Sequence, residues 1–88
     1  MVQKKIKIEN NLIGEELKDY RLGMGYTIKE LIQIPIKEGR LDKNWISERS
    51  ISNFEQGHNI PSLPTLKKLA VAYQIELIDL IEDIEDYL

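Results

Sequence analysis

Eighty-eight residues, 42% hydrophobic and 31% charged, suffice for one small globular domain with a single core and are too few for two. With no cysteine, a disulfide framework and a thiolate-held metal are both excluded. No apolar run of a signal peptide follows Lys4, Lys5 and Lys7, and no stretch approaches the roughly 20 apolar residues of a membrane span, so a soluble, cytoplasmic protein with no membrane attachment is expected.

The net charge of −3 is unevenly spread. Six of the 15 acids (Glu76, Asp79, Glu82, Asp83, Glu85, Asp86) stand among the last 13 residues with no base beside them. The preceding part of the chain sets all 12 bases against the other 9 acids, a net of +3. A polyanionic partner is therefore compatible with a face away from the C-terminus.

Residues 1–11 read as an N-terminal arm in which KKIKI (4–8) is either a short strand or unstructured; the unstructured arm is favoured, because chain termini are usually poorly tied down. Ile13, Leu17, Tyr20 and Met24 recur at i, i+4, i+7 and i+11, which predicts a first helix over about 12–24 with Gly25 as its stop. Thr27 and Glu30 form a capping-box pattern ahead of Leu31 and Ile32, opening a second helix that Pro35 should end early or kink. The stretch from Ile36 to Trp45 keeps no period, contains Gly39 and reads as a loop. Ser47 is placed to cap a third helix with Ile51 and Phe54 inward and Gly57 at its end. Ser62 is placed to cap a fourth, along which Leu66, Leu69, Ala70 and Tyr73 share a stripe. A fifth helix over about 77–87 carries the stripe Leu77, Leu80, Ile81, Ile84, Leu88, with acids on its other faces. Short helices and short links imply an all-α domain.

Taken together, IGEELKDYRLGMGYTIKEL (13–31) and ISERSISNFEQGHNIPSLPTLKKLAVAYQIELIDLI (46–81) resemble the Cro and phage-repressor (XRE) helix-turn-helix family. The resemblance implies a five-helix domain, residues 12–88, that binds double-stranded DNA as a transcriptional regulator, expected to be a repressor, with helix 47–56 in the major groove. It carries base contacts onto Glu48, Arg49, Ser52 and Asn53, and backbone contacts onto Thr27, Ser47, Gln56, His58 and Asn59, with Lys29 added for its charge. Arg21 and Glu55 correspond to an ion pair tying the first helix to the third. Arg49 suits the O6 and N7 of guanine, Asn53 suits adenine, and Glu48 either accepts from the cytosine amine or repels phosphate at wrong sequences. Two departures from the family pattern stand out. Ile28 occupies a place where a glutamine is common. The turn is normally roughly 3 to 4 residues, and this chain inserts about nine more between Leu31 and Ile46.

The bland reading of each feature runs beside the sharp one. Within the insertion, taken as about 34–45, Lys37, Arg40 and Lys43 either meet the DNA backbone or point into water; Glu38 and Asp42 among them favour the solvated loop. Trp45 is expected to pack rather than stack on a base. His58, the lone histidine, lacks a second ligand at metal spacing, so no metal is expected. Gly23, Met24 and Gly25 are a helix end without the glycine-rich phosphate fingerprint, and no nucleophile and base pair is placed, so neither cofactor, small-molecule ligand nor catalysis is expected. Two-fold symmetric binding to an inverted repeat is the common solution for one small reading helix, so a homodimer is expected, with Ile84, Tyr87 and Leu88 as candidate contacts. The alternative is a protein-interaction module on the same fold, contacting a partner protein through the acidic last helix.

Overall fold

Capping and burial together delimit five helices in the computed structural model, which describes residues 12–88; the expectation for KKIKI lies outside them. They are α1 (Ile13–Gly23), α2 (Ile28–Lys37), α3 (Glu48–Glu55), α4 (Leu63–Tyr73) and α5 (Leu77–Ile84), and the chain ends in a 3-10 turn, Glu85–Tyr87. No strand occurs among the described residues. The fold is an all-α, five-helix domain.

Local chemistry explains most boundaries. Gly25 closes α1 with φ +76°, a conformation that costs glycine little. The Thr27 hydroxyl accepts from the Glu30 amide at 3.1 Å while the Glu30 carboxylate accepts from the Thr27 amide at 2.9 Å, so both halves of the capping box form. Ser47 and Ser62 accept from the amides of Ser50 and Thr65 and start α3 and α4. Gln74 ends α4 in the left-handed region, φ 64°, a place usually held by glycine.

Pro35 does not end α2. It lies inside the helix, which runs on to Lys37, and its side chain is fully buried. The missing proline N–H forfeits one helical hydrogen bond, but the Pro35 carbonyl accepts from the amides of Arg40 and Leu41, closing the helix end two residues later than the sequence suggests.

The segment that follows is anchored at two points: Trp45 packs as expected, whereas Arg40, expected in a solvated loop, is held on α4. Trp45 is 8% exposed, sits in the core, and donates its indole N–H to the Ile32 carbonyl at 3.1 Å. The Arg40 guanidinium donates to the Val71 carbonyl of α4 and to the Glu38 carboxylate, at 2.7 and 2.9 Å for the latter. Lys37 and Lys43 remain exposed.

α1 packs on α3 and α5, α2 on α3 and α4, and α4 on α5. Ile13, Leu17, Leu31, Ile51, Leu69, Leu80 and Ile84 are essentially sealed in the single core between them. Ile84 is 0% exposed, which removes it from the candidate dimer contacts: the stripe of α5 completes the chain's own core. Tyr87 is half-buried, and Leu88, 65% exposed, is the apolar group that end of the chain presents to solvent.

Candidate nucleic-acid interface

α3 divides its circumference between two tasks. Ile51 is buried and Phe54 packs against the core. Advancing about 100° per residue, Glu48, Ser52, Gln56, Arg49 and Asn53 fall within an arc of about 140° on the opposite side. Glu48, Arg49 and Gln56 are exposed, and Ser52 and Asn53 half-exposed. The side chains of Glu48, Arg49 and Asn53 make no hydrogen bond or ion pair among the described residues. A face that folding leaves unsatisfied is one whose donors and acceptors remain available to a ligand.

The base of that face is held rigidly. Arg21 of α1 is 8% exposed and grips the Glu55 carboxylate with two parallel bonds, Nε to Oε2 and Nη2 to Oε1, both 2.8 Å; its Nη1 donates to the Tyr26 carbonyl at 2.8 Å. The hydrogen bond to Glu55 outweighs the effect of burial and holds the guanidinium above its ordinary pKa. Gly14 permits the close approach of α1 to α3: a Cβ there would lie 2.2 Å from the Phe54 carbonyl oxygen and 2.7 Å from that of Glu55. Tyr20 stacks on Tyr73, ring centroids 5.1 Å apart, and donates its hydroxyl to Asp83, tying α1 to α5. Burial, first, pushes both phenols well above the usual tyrosine value, with Asp83 adding for Tyr20 and Glu55 for Tyr73.

Around α3 the residues expected at a DNA backbone are grouped unevenly. Gln56 donates to the Ser52 hydroxyl at 2.9 Å, and its carbonyl lies 3.1 Å from Nε2 of His58, whose amide donates to the Asn53 carbonyl at 2.9 Å. Ser47 and Thr27 spend their hydroxyls on capping yet stay exposed, as do Lys29 and Asn59. A crevice of about 180 Å³ joins α1, the start of α2 and α3, lined by Lys18, Arg21, Ile28, Ser52, Glu55 and Gln56. Tyr87 and Leu88 belong to the opposite end of the chain and line no part of it.

Lys18 and Gly14 escaped the sequence reading. Lys18 stands three residues before Arg21, and that i, i+3 spacing puts the two on one helix face. A glycine inside an apolar-periodic helix is a recognised mark of close packing, so Gly14 also had a signal.

A helix-turn-helix family model matches residues 40–80. The matched segment, just under half of the chain, is similar to the XRE-type helix-turn-helix family. Neither the curated proteins nor the solved structures compared with it gave a match. The family match starts at Arg40, within the inserted segment, and ends at Leu80, taking in α3, α4 and the first half of α5. α1 and α2 lie outside the matched region. The matched family is a DNA-binding one. Among the described residues no helix is long and apolar enough to cross a membrane, and no group of acids or histidine is arranged to hold a metal ion.

Proposed function

We propose that this helix-turn-helix domain is a sequence-specific regulator of transcription that lays α3 in the major groove of duplex DNA. The observation that carries the reading is the unsatisfied outward face of α3, held at a fixed angle to α1 by the Arg21 to Glu55 bonds. Arg49 reads guanine through O6 and N7, Asn53 reads adenine, Glu48 accepts from cytosine N4, and Ser52 completes the set. Thr27, Lys29, Ser47, Gln56, His58 and Asn59 supply contacts to sugar and phosphate that fix register without reading sequence. The protein acts in the cytoplasm as a homodimer on an inverted repeat and represses by occupying its operator. With Ile84 sealed in the core, the C-terminal contribution to pairing falls to Tyr87 and Leu88.

The test is selection of bound fragments from a random duplex pool at near-physiological salt. An enriched inverted repeat with half-sites about one helical turn apart is expected. On the enriched sequence, Arg49→Ala should lose about 1 to 3 kcal/mol of discrimination at one base position. No enrichment by a folded protein overturns the reading and favours a module that docks a partner protein on its acidic C-terminal end.

A further inference from the structure

The crevice between α1, the start of α2 and α3 has six lining residues, and only one of them carries a charge that the chain leaves unanswered. Arg21 and Glu55 neutralise each other across two 2.8 Å bonds. Ile28 offers an apolar side chain. Lys18, on α1, is exposed and forms no hydrogen bond or ion pair among the described residues. The remaining two, Ser52 and Gln56, belong at the same time to the outward face of α3. Whatever lies along that face therefore covers the mouth of the crevice.

We propose that this crevice seats a phosphodiester group of the DNA backbone, with the Lys18 ammonium as its counter-charge and the Gln56 amide as hydrogen-bond donor. The inference rests on α3 being the element that enters the groove. Gln56 spends one amide proton on Ser52 at 2.9 Å and keeps the other. The lining carries a net charge of +1, all of it from Lys18, because the buried ion pair sums to zero. Removing the ammonium leaves a lining of zero net charge, so the seat loses its electrostatic pull on the phosphate. The contact is indifferent to base sequence, and it comes from α1, outside the two helices that give the motif its name.

The experiment compares the full chain with Lys18→Gln and Lys18→Arg on two duplexes, the selected sequence and an unrelated one, over a salt range from about 50 to 200 mM. Lys18→Gln should weaken both duplexes by the same factor. Over that fourfold rise in salt it should lose about 3.5-fold less affinity than the parent, the share of one released counterion. Lys18→Arg should restore the parent's slope. An unchanged slope for Lys18→Gln, in a parent that binds with steep salt dependence, overturns the phosphate seat and leaves the role of α3 intact. Weakening confined to the selected duplex also overturns it, by making Lys18 a base reader. A parent that binds neither duplex removes both conclusions together. Trp45 emission at matched conditions verifies that each variant is folded.

Discussion

Replacing Glu55 with glutamine keeps the shape of the side chain and deletes its charge, which isolates what the bond to Arg21 contributes. The side chains of Arg21 and Glu55 are 10% and 6% exposed, so the pair falls in the buried regime, where loss of one partner costs roughly 3 to 5 kcal/mol. An exposed pair would lose only about 0 to 1 kcal/mol. The amide of Glu55→Gln keeps one acceptor oxygen and turns an N–H toward a guanidinium, placing the loss near the lower end, about 3 kcal/mol. A chain of 88 residues has roughly 4 to 13 kcal/mol of total stability at the usual share per residue, so the variant should be marginal. Its Tm should fall by about 12 to 24 °C. Urea unfolding followed through Trp45, the single tryptophan, reads the loss directly. Removing both charges with Arg21→Met and Glu55→Leu should recover at least about half of it, because no ion is left buried alone. The reasoning fails if Glu55→Gln costs less than about 1 kcal/mol, or if the double variant equals the sum of the singles, which would mean no coupling.

Gly14→Ala should destabilise by about 2 kcal/mol or more despite alanine's better helix propensity, since the new Cβ meets the backbone carbonyls of Phe54 and Glu55 rather than a side chain that can turn away; a neutral or stabilising result in urea would refute it. Trp45→Phe should cost about 1 to 3 kcal/mol through the lost indole bond to the Ile32 carbonyl and the space the smaller ring leaves in the core, read by calorimetric melting. Stability should also fall as pH rises past about 10: there the unfolded chain releases its tyrosine protons while the folded state, whose Tyr20 and Tyr73 are held above the usual value, retains them. For buried Tyr73 the loss between pH 10 and 11 is about 1 kcal/mol, and the urea midpoints of Tyr73→Phe should lack that share of the parent's fall.

What the sequence made legible follows a pattern. Caps are local: Thr27 with Glu30, Ser47 and Ser62 announce their helices within four residues, and each forms its bond. Stripes are local as well, and Ile13, Leu17, Leu66, Leu69 and Leu80 are buried where the period places them. The misreadings arise where a partner lies far along the chain. Burial of Pro35 in the core outweighs its missing N–H, and nothing near residue 35 reveals that. The acceptor for Arg40 is 31 residues away, on α4, and the acceptor for Tyr20 is 63 residues away, on α5. Ile84 shows that a stripe records which residues avoid water without saying whose apolar surface they meet. For the candidate interface, the identity of the outward residues of α3 was legible, whereas the crevice beside it needs three helices to be in place before it exists.

The two ties that hold the inserted segment share a property. Trp45 and Arg40 both end on main-chain carbonyls, those of Ile32 and Val71, and neither relies on a particular side chain of α2 or α4. A substitution at 32 or 71 leaves the carbonyl in place, so neither bond constrains those side chains; at 32 it is the core that does. The path between α2 and α3 is thereby set by backbone geometry at two acceptors, and sequence change in α2 and α4 reaches it only through the space the core leaves for Trp45.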